Sequence, residues 1–200
     1  MKKNQVILLV LCILCFIANI IYILLLSDNG KILGLIQYLA IYMPFFALLF
    51  IKNKKYAMYI TLAFCGFELL VNLFDYIRSI VFLLQPDVSN KLSVIVYIIE
   101  KMFSNVIKVL LIINVFKWLQ ERERSNTTLI SIMLILLVVG GAAIIGQNYF
   151  SLRDNNTTIN TIYLANIASI CKDIVLNFLL VFFVMTNFIK PEISDTSNIE

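Results

Sequence analysis

Polar and ionisable side chains recur at helical spacing inside three long apolar stretches of the sequence. In the first stretch Glu68, Asn72 and Asp75 are four and three residues apart, so they would share one face of an α-helix. Ionisable groups inside apolar segments are rare, and they commonly mark ion pathways, proton relays or binding sites. These residue types favour mutual ion pairing or a hydrated, ligand-binding site. The candidate site residues are Glu68, Asn72, Asp75, Arg78, Glu100, Lys101, Asn105, Lys108, Lys172, Asp173 and Asn177.

The ionisable members of this set are balanced in charge. A single unpaired charge at the centre of a bilayer costs roughly 2.5–3.5 kcal/mol on insertion scales, so eight unpaired charges would be prohibitive. Equal numbers of acids and bases therefore predict that the side chains pair with one another. The four acids and four bases are Glu68, Asp75, Glu100 and Asp173 against Arg78, Lys101, Lys108 and Lys172.

Depth along the apolar stretches predicts two layers of pairs. At about 1.5 Å per helical residue, Glu68, Lys108, Lys172 and Asp173 fall near the middle of their stretches. The middle layer is predicted to pair Glu68 with Lys108 or Lys172. The outer layer is predicted to join two acids to two bases: Asp75 and Glu100 to Arg78 and Lys101. The network is interpreted either as a hydrated or ligand-binding site or as a purely structural device.

Composition places the whole chain in a membrane. Hydrophobic residues make up 61% of its 200 residues and charged residues 14%, whereas soluble domains average about 45–50% and about 25%. The chain has no histidine, which excludes Ser-His and Cys-His catalysis and histidine-based metal sites. No P-loop or other nucleotide-binding motif occurs. We therefore predict no catalytic residue, no metal, no cofactor and no nucleic-acid partner, and the predicted partner is the lipid bilayer.

The apolar runs predict an all-α integral membrane protein, a bundle of six transmembrane helices. One domain is expected over residues 1–189, followed by a short acidic cytoplasmic tail at 190–200. The first run is expected to be a retained signal anchor, because no small-residue cleavage site follows it. The predicted helices cover about 5–26, 32–51, 56–84, 92–119, 127–149 and 161–189.

Short polar segments between the runs predict the orientation. With the N-terminus inside, nine Lys and Arg residues fall on the cytoplasmic side, and three, Lys31, Lys91 and Arg153, fall outside. This positive-inside bias predicts that both termini are cytoplasmic. Abundant Ile, Lys and Asn with little Ala suggests an AT-rich genome, and hence a bacterial plasma-membrane protein.

Two local features predict how individual helices are shaped. Pro44 lies within the second predicted helix, where the carbonyl of Ala40 would lose its usual partner, so a kink is expected. Gly140, Ala142 and Gly146 belong to a small-residue cluster in the fifth predicted helix, which would allow a close helix approach. This approach is interpreted as packing inside the bundle, with a dimer face as the alternative.

Three classes of function follow from the charged stripes. The first is a small-solute or ion transporter, a channel, or a membrane-embedded substrate-binding subunit that uses a charged cluster between the third, fourth and sixth predicted helices. The second is a non-enzymatic interaction protein, such as an accessory subunit, immunity protein or sensor, in which the buried charges are structural. Its partner would be another membrane protein or a second copy of the chain. The third is an intramembrane enzyme acting on lipid, which would need a free carboxylate in a cleft open to the bilayer.

Overall fold

The computed structural model describes residues 3–25, 28–50, 53–84, 91–120, 122, 126–154 and 161–187. Within these ranges all regular structure is helical, so the all-α prediction is confirmed there. A π-helical segment, Tyr38–Tyr42, lies between the second and third α-helices. The α-helices are α1 (Lys3–Leu25), α2 (Asp28–Gln37), α3 (Met43–Leu48), α4 (Lys54–Leu83), α5 (Lys91–Leu119), α6 (Thr127–Asp154) and α7 (Thr161–Asn187).

Five helices of the described ranges, α1, α4, α5, α6 and α7, are long and apolar enough to cross a membrane. A shorter apolar helical stretch, Gly34–Leu48, runs from α2 through the π-helical segment into α3. The third, fourth and sixth predicted helices correspond to α4, α5 and α7. The predicted acidic tail at 190–200 lies outside the described residues, and the orientation of the termini stays a prediction.

The outward faces of the helices are apolar, as a lipid environment requires. On α4, Leu70, Phe74 and Ile77 are 53–72% exposed, whereas Glu68 and Asn72 are buried on the opposite face. A soluble monomer rarely leaves so large a contiguous apolar surface in water. The division of α4 into an apolar outer face and a polar inner face therefore supports its assignment as a membrane helix.

The helix α7 lies at the centre of the bundle. It packs against α1, α4, α5 and α6, and α5 in turn packs against α4, α6 and α7. In the most apolar stretch of α7, 56% of the residues are buried, compared with 28–39% in the corresponding stretches of the other four long helices. The three helices that carry the charged stripes, α4, α5 and α7, are thus mutual neighbours.

The predicted second helix is interrupted by the π-helical segment that ends just before Met43 and Pro44. Proline has no backbone N–H, and its ring collides with the carbonyl four residues earlier, so a regular α-helical turn cannot continue through it. A π-helical turn, with i→i+5 hydrogen bonds, is a known local accommodation inside helices. Tyr38 and Tyr42, at the two ends of this segment, are both buried, and their rings stack at a centroid distance of 6.1 Å.

Within the small-residue cluster of α6, the close approach to a neighbouring helix is made by Gly141. A Cβ atom added there would lie 2.8 Å from Ile174 Cδ1 and 2.9 Å from Ile170 Cγ2, both on α7. A Cβ at Gly140 or Gly146 would meet nothing within 4 Å. The contact lies inside the bundle, as the sequence analysis expected, and within the cluster it is made by Gly141 rather than by Gly140 or Gly146.

Candidate functional site

The middle of the bundle holds the predicted pair between α4 and α5. Lys108 Nζ lies 3.9 Å from Glu68 Oε2, and both side chains are at most 5% exposed. The hydroxyl of Tyr42, in the π-helical segment, donates a hydrogen bond of 2.5 Å to Glu68 Oε1. The predicted pairing of Glu68 with Lys108 is confirmed, and it includes a tyrosine that the charge pattern did not point to.

A hydrogen-bonded chain links this pair to α7 through Ser104. Lys108 Nζ donates to Ser104 Oγ at 2.8 Å, and Asn177 Nδ2 donates to the same oxygen at 2.8 Å. Asn177 Nδ2 also donates to the backbone carbonyl of Asp173 at 2.8 Å. Because Ser104 on α5 accepts a hydrogen bond from Asn177 on α7, this contact fixes the register of the two helices.

The second buried ion pair joins α5 to α7. Lys101 Nζ donates to Asp173 Oδ2, while Lys172 Nζ lies 3.9 Å from the other oxygen, Asp173 Oδ1. One carboxylate therefore faces two ammonium groups. Both members of the Lys101–Asp173 pair are at most 6% exposed on their side chains, so the pair is withdrawn from lipid and from solvent.

The predicted outer layer of Asp75, Glu100, Arg78 and Lys101 is wrong as a set of pairs, because Lys101 pairs with Asp173 instead. Arg78 is exposed, and Asp75 is half-buried. The error has a physical cause. Contacts of Ser104 with Asn177 and of Lys101 with Asp173 show that α5 and α7 run parallel in matched register. Counting residues from each helix start did not reveal that register.

Glu100 is the buried carboxylate that this register leaves without a hydrogen bond. It is 1% exposed, and neither Oε1 nor Oε2 has a hydrogen-bond partner among the described residues. Lys101, Lys108 and Lys172 are the cationic groups that act on it electrostatically. Buried carboxylates in native proteins are nearly always hydrogen-bonded, so an unsatisfied one calls for an explanation, such as a catalytic role or a bound water or ion.

The remaining amide pair bridges α4 and α5. Asn72 Nδ2 donates a hydrogen bond of 2.5 Å to Asn105 Oδ1. Hydrogen bonds of this kind hold membrane helices together where the hydrophobic effect does not separate helix from lipid. The pair extends the polar face of α4 beyond Glu68, as the spacing of four residues predicts.

Aromatic rings enclose the ammonium group of Lys172 at a small cavity. Lys172 Nζ lies 4.8 Å from the centroid of Tyr22 on α1 and 5.9 Å from that of Tyr42. The adjoining cavity, of about 20 Å³, is lined by these residues together with Asn19 and Tyr38. The charge pattern of the sequence did not single out Tyr22, Tyr38 or Tyr42. The spacing of four residues between Tyr38 and Tyr42, directly before Pro44, is the signal that could have identified these two.

The arrangement can exchange protons and bind ions, but it holds no evident metal site. Among the described residues, no group of three or more His, Cys, Asp or Glu side chains is placed to hold a metal ion. Seven of the predicted site residues are buried in the bundle: Glu68, Asn72, Glu100, Lys101, Lys108, Asp173 and Asn177. Asn105 and Lys172 are half-buried beside them. We refer to these nine residues with Tyr42 and Ser104 as the charged cluster.

No protein-family model, curated protein or solved structure matches the chain. The fold and the cluster define its class: over its described residues, an all-helical protein with five helices able to span a membrane and with ion pairs buried between them.

Proposed function

We propose that the chain is a six-span protein of the bacterial plasma membrane that moves a small solute or an ion through the charged cluster. Besides the five long helices, this proposal needs one more crossing. The helical stretch Gly34–Leu48 belongs to it, as the second crossing along the chain, and both termini are cytoplasmic. The five long apolar helices and the positive-inside distribution of Lys and Arg support this arrangement.

The observation that carries the proposal is the unsatisfied carboxylate of Glu100. A purely structural network gains stability only when each member is satisfied, because a half-satisfied buried network is worse than an apolar core. Glu68 and Asp173 meet that condition through hydrogen bonds and ion pairs. Glu100 does not, so a structural role alone does not account for it.

In the proposed mechanism Glu100 takes up and releases a proton or exchanges a cation. Its carboxylate is one helical residue from Lys101 and lies in the field of three lysine ammonium groups. A change of charge at Glu100 would alter how those ammonium groups are shared between Asp173 and Glu68. Carboxylates inside membrane bundles serve as proton relays in pumps and transporters, and this position has the same physical character.

The decisive experiment measures proton flux in proteoliposomes. Vesicles containing the full chain and an internal pH-sensitive dye are given a potassium diffusion potential, with chloride and a mixture of small organic acids and amines outside. We expect protein-dependent proton flux, and we expect Glu100→Gln to reduce it at least tenfold. The matched control, Glu192→Gln in the predicted cytoplasmic tail, should behave as wild type.

Two outcomes would contradict the proposal: an absence of protein-dependent flux, or an unchanged flux in Glu100→Gln. The variant should fold normally, because an amide has the same shape as the carboxylate and no hydrogen bond to a described residue is lost. Equal melting temperatures of the variant and the wild type would show that a loss of flux is not a loss of folding.

The second candidate is a non-enzymatic interaction protein with a sealed network. The observation that favours it is the low exposure, 1–6%, of the side chains in the Lys101–Asp173 and Lys108–Glu68 pairs. The two candidates differ in the access of water to the fully buried Ser104. In a background without the native cysteines, Ser104→Cys should react with a small water-soluble thiol reagent in the transporter. It should be protected in a sealed interaction protein.

A further inference from the structure

We propose that the cavity beside Lys172 binds a small monovalent anion of halide size. This inference deepens the proposed function, on which it rests, by naming a ligand class for the α1 side of the charged cluster. The cavity lies between α1, the π-helical segment and α7, and its polar lining includes Asn19, Tyr22, Tyr38, Tyr42 and Lys172.

The first argument is the loose pairing of the Lys172 ammonium group. Asp173 is shared by two lysines, since Lys101 bonds Oδ2 and Lys172 faces Oδ1. The 3.9 Å between Lys172 Nζ and Oδ1 exceeds the usual length of an N–H···O hydrogen bond, about 2.7–3.2 Å. The Lys172 ammonium group therefore has its nearest carboxylate partner beyond hydrogen-bond distance, and a buried charge is costly unless a partner hydrogen-bonds it.

The second argument is the presence of unused hydrogen-bond donors. Lys172 carries three N–H donors, and no hydrogen bond joins its ammonium group to another described residue. The Tyr38 hydroxyl, on a side chain of 2% exposure, also has no hydrogen-bond partner there. Both residues line the cavity, so an acceptor placed in it would satisfy an orphaned hydroxyl and an ammonium group together.

The third argument is size. A cavity of about 20 Å³ exceeds the roughly 10–15 Å³ that one water molecule needs. That space suits a single particle of water or halide size. A water molecule would fit it, but a halide would in addition place a negative charge against the Lys172 ammonium group.

The role of Glu100 is separate from this site. Like Glu68, it is a buried carboxylate near Lys172, but its oxygens hydrogen-bond to no described residue, and it does not line the cavity. An anion at Lys172 and a proton at Glu100 change the charge of the cluster in opposite senses. Occupation of both sites together would therefore leave the net charge of the cluster unchanged.

Chloride binding can be tested directly on the purified full chain in detergent micelles. The probe is sodium chloride, followed by the line width of the chloride-35 nuclear resonance, with bromide as competitor. We expect the wild-type protein to broaden the line in a saturable way that bromide reverses. Lys172→Gln should abolish the broadening, and Asp173 keeps Lys101 as its partner in this variant.

A pair of matched tyrosine variants isolates the hydroxyl. Tyr38→Phe retains the ring that stacks on Tyr42, and we expect it to weaken chloride binding by about tenfold, the loss typical of one hydrogen bond to an ion. Tyr59→Phe makes the same chemical change at an exposed position of α4 and should bind as wild type. If Lys172→Gln does not fold, the comparison of Tyr38→Phe with Tyr59→Phe still tests whether chloride binds in the cavity.

The proposal is overturned if the wild type broadens the line no more than empty micelles do, which would leave the cavity to water. It is also overturned if Lys172→Gln, or Tyr38→Phe, binds chloride as the wild type does. A failure here is distinguishable from failure of the proposed function. Chloride binding without proton flux would refute transport alone, and flux lost in Glu100→Gln without chloride binding would refute the anion site alone.

Discussion

Replacing Lys108 by methionine tests whether the buried ion pair stabilises the bundle as the structure implies. Methionine keeps most of the side-chain length but removes the ammonium group, so Glu68 retains only the hydrogen bond from Tyr42. At the observed separation of 3.9 Å, two unit charges attract by about 4 kcal/mol at an effective dielectric constant of about 20. Loss of one partner of a buried pair typically costs about 3–5 kcal/mol, because the other charge remains buried.

We therefore expect Lys108→Met to lower the free energy of unfolding by about 3–5 kcal/mol. The measurement is titration of the purified protein with sodium dodecyl sulfate in mixed micelles, followed by circular dichroism. Lys55→Met is the matched control, because Lys55 is exposed at the start of α4 and a surface change should stay within about 0.5 kcal/mol.

The double variant Glu68→Gln with Lys108→Met distinguishes the attraction between the two charges from the cost of burying one charge without a partner. With both charges removed, no lone charge stays buried, so the double variant should be more stable than Lys108→Met alone. The reasoning is refuted if Lys108→Met unfolds within about 1 kcal/mol of the wild type, which lies below the range for a broken buried pair. It is also refuted if adding Glu68→Gln to Lys108→Met restores none of the lost free energy of unfolding.

Three further contacts are tested by substitutions in the same unfolding titration. Gly141→Ala should lower stability by about 1–3 kcal/mol, because the new Cβ would overlap α7. Gly140→Ala, with open space around its Cβ, should not, and equal effects at both positions would disprove the close contact. Tyr42→Phe should cost about 1.5–3 kcal/mol through loss of its hydrogen bond to a charged group, and an unchanged stability would exclude that bond. Asp173→Asn should destabilise more than Lys172→Gln, because it removes the carboxylate that faces two ammonium groups; the reverse order would contradict the shared carboxylate.

The sequence predicted the faces of the helices well, because helical periodicity is local. Glu68 and Asn72 lie four residues apart and are both buried, while Leu70 and Phe74 face outward. The cost of a lone charge in lipid then sufficed to predict that Glu68 would be buried with a base. The predicted partner Lys108 is confirmed, since it occurs near the middle of a neighbouring apolar stretch.

The ion-pair partners of the other charged residues depend on the axial register between neighbouring helices. The pairing of Lys101 with Asp173 rather than with the predicted acids follows from the register of α5 against α7, which Ser104 and Asn177 hold in place. A shift of one helical turn moves a side chain by about 5.4 Å, enough to exchange one ion-pair partner for another. Sequence spacing within a single helix contains no information about this shift.

The sequence by itself predicted an all-helical chain with six membrane-spanning helices. Among the described residues five long helices are confirmed as apolar enough to span a membrane, and the sequence also predicted which side chains face inward on α4. These properties depend on residues within a few turns of one another. Only the tertiary structure decided that Glu100 lacks a hydrogen bond and that Tyr38 and Tyr42 turn toward Lys172. The first depends on the helices packed around Glu100 and the second on the π-helical segment before Pro44, because a buried polar group acquires its partners from segments distant in the sequence.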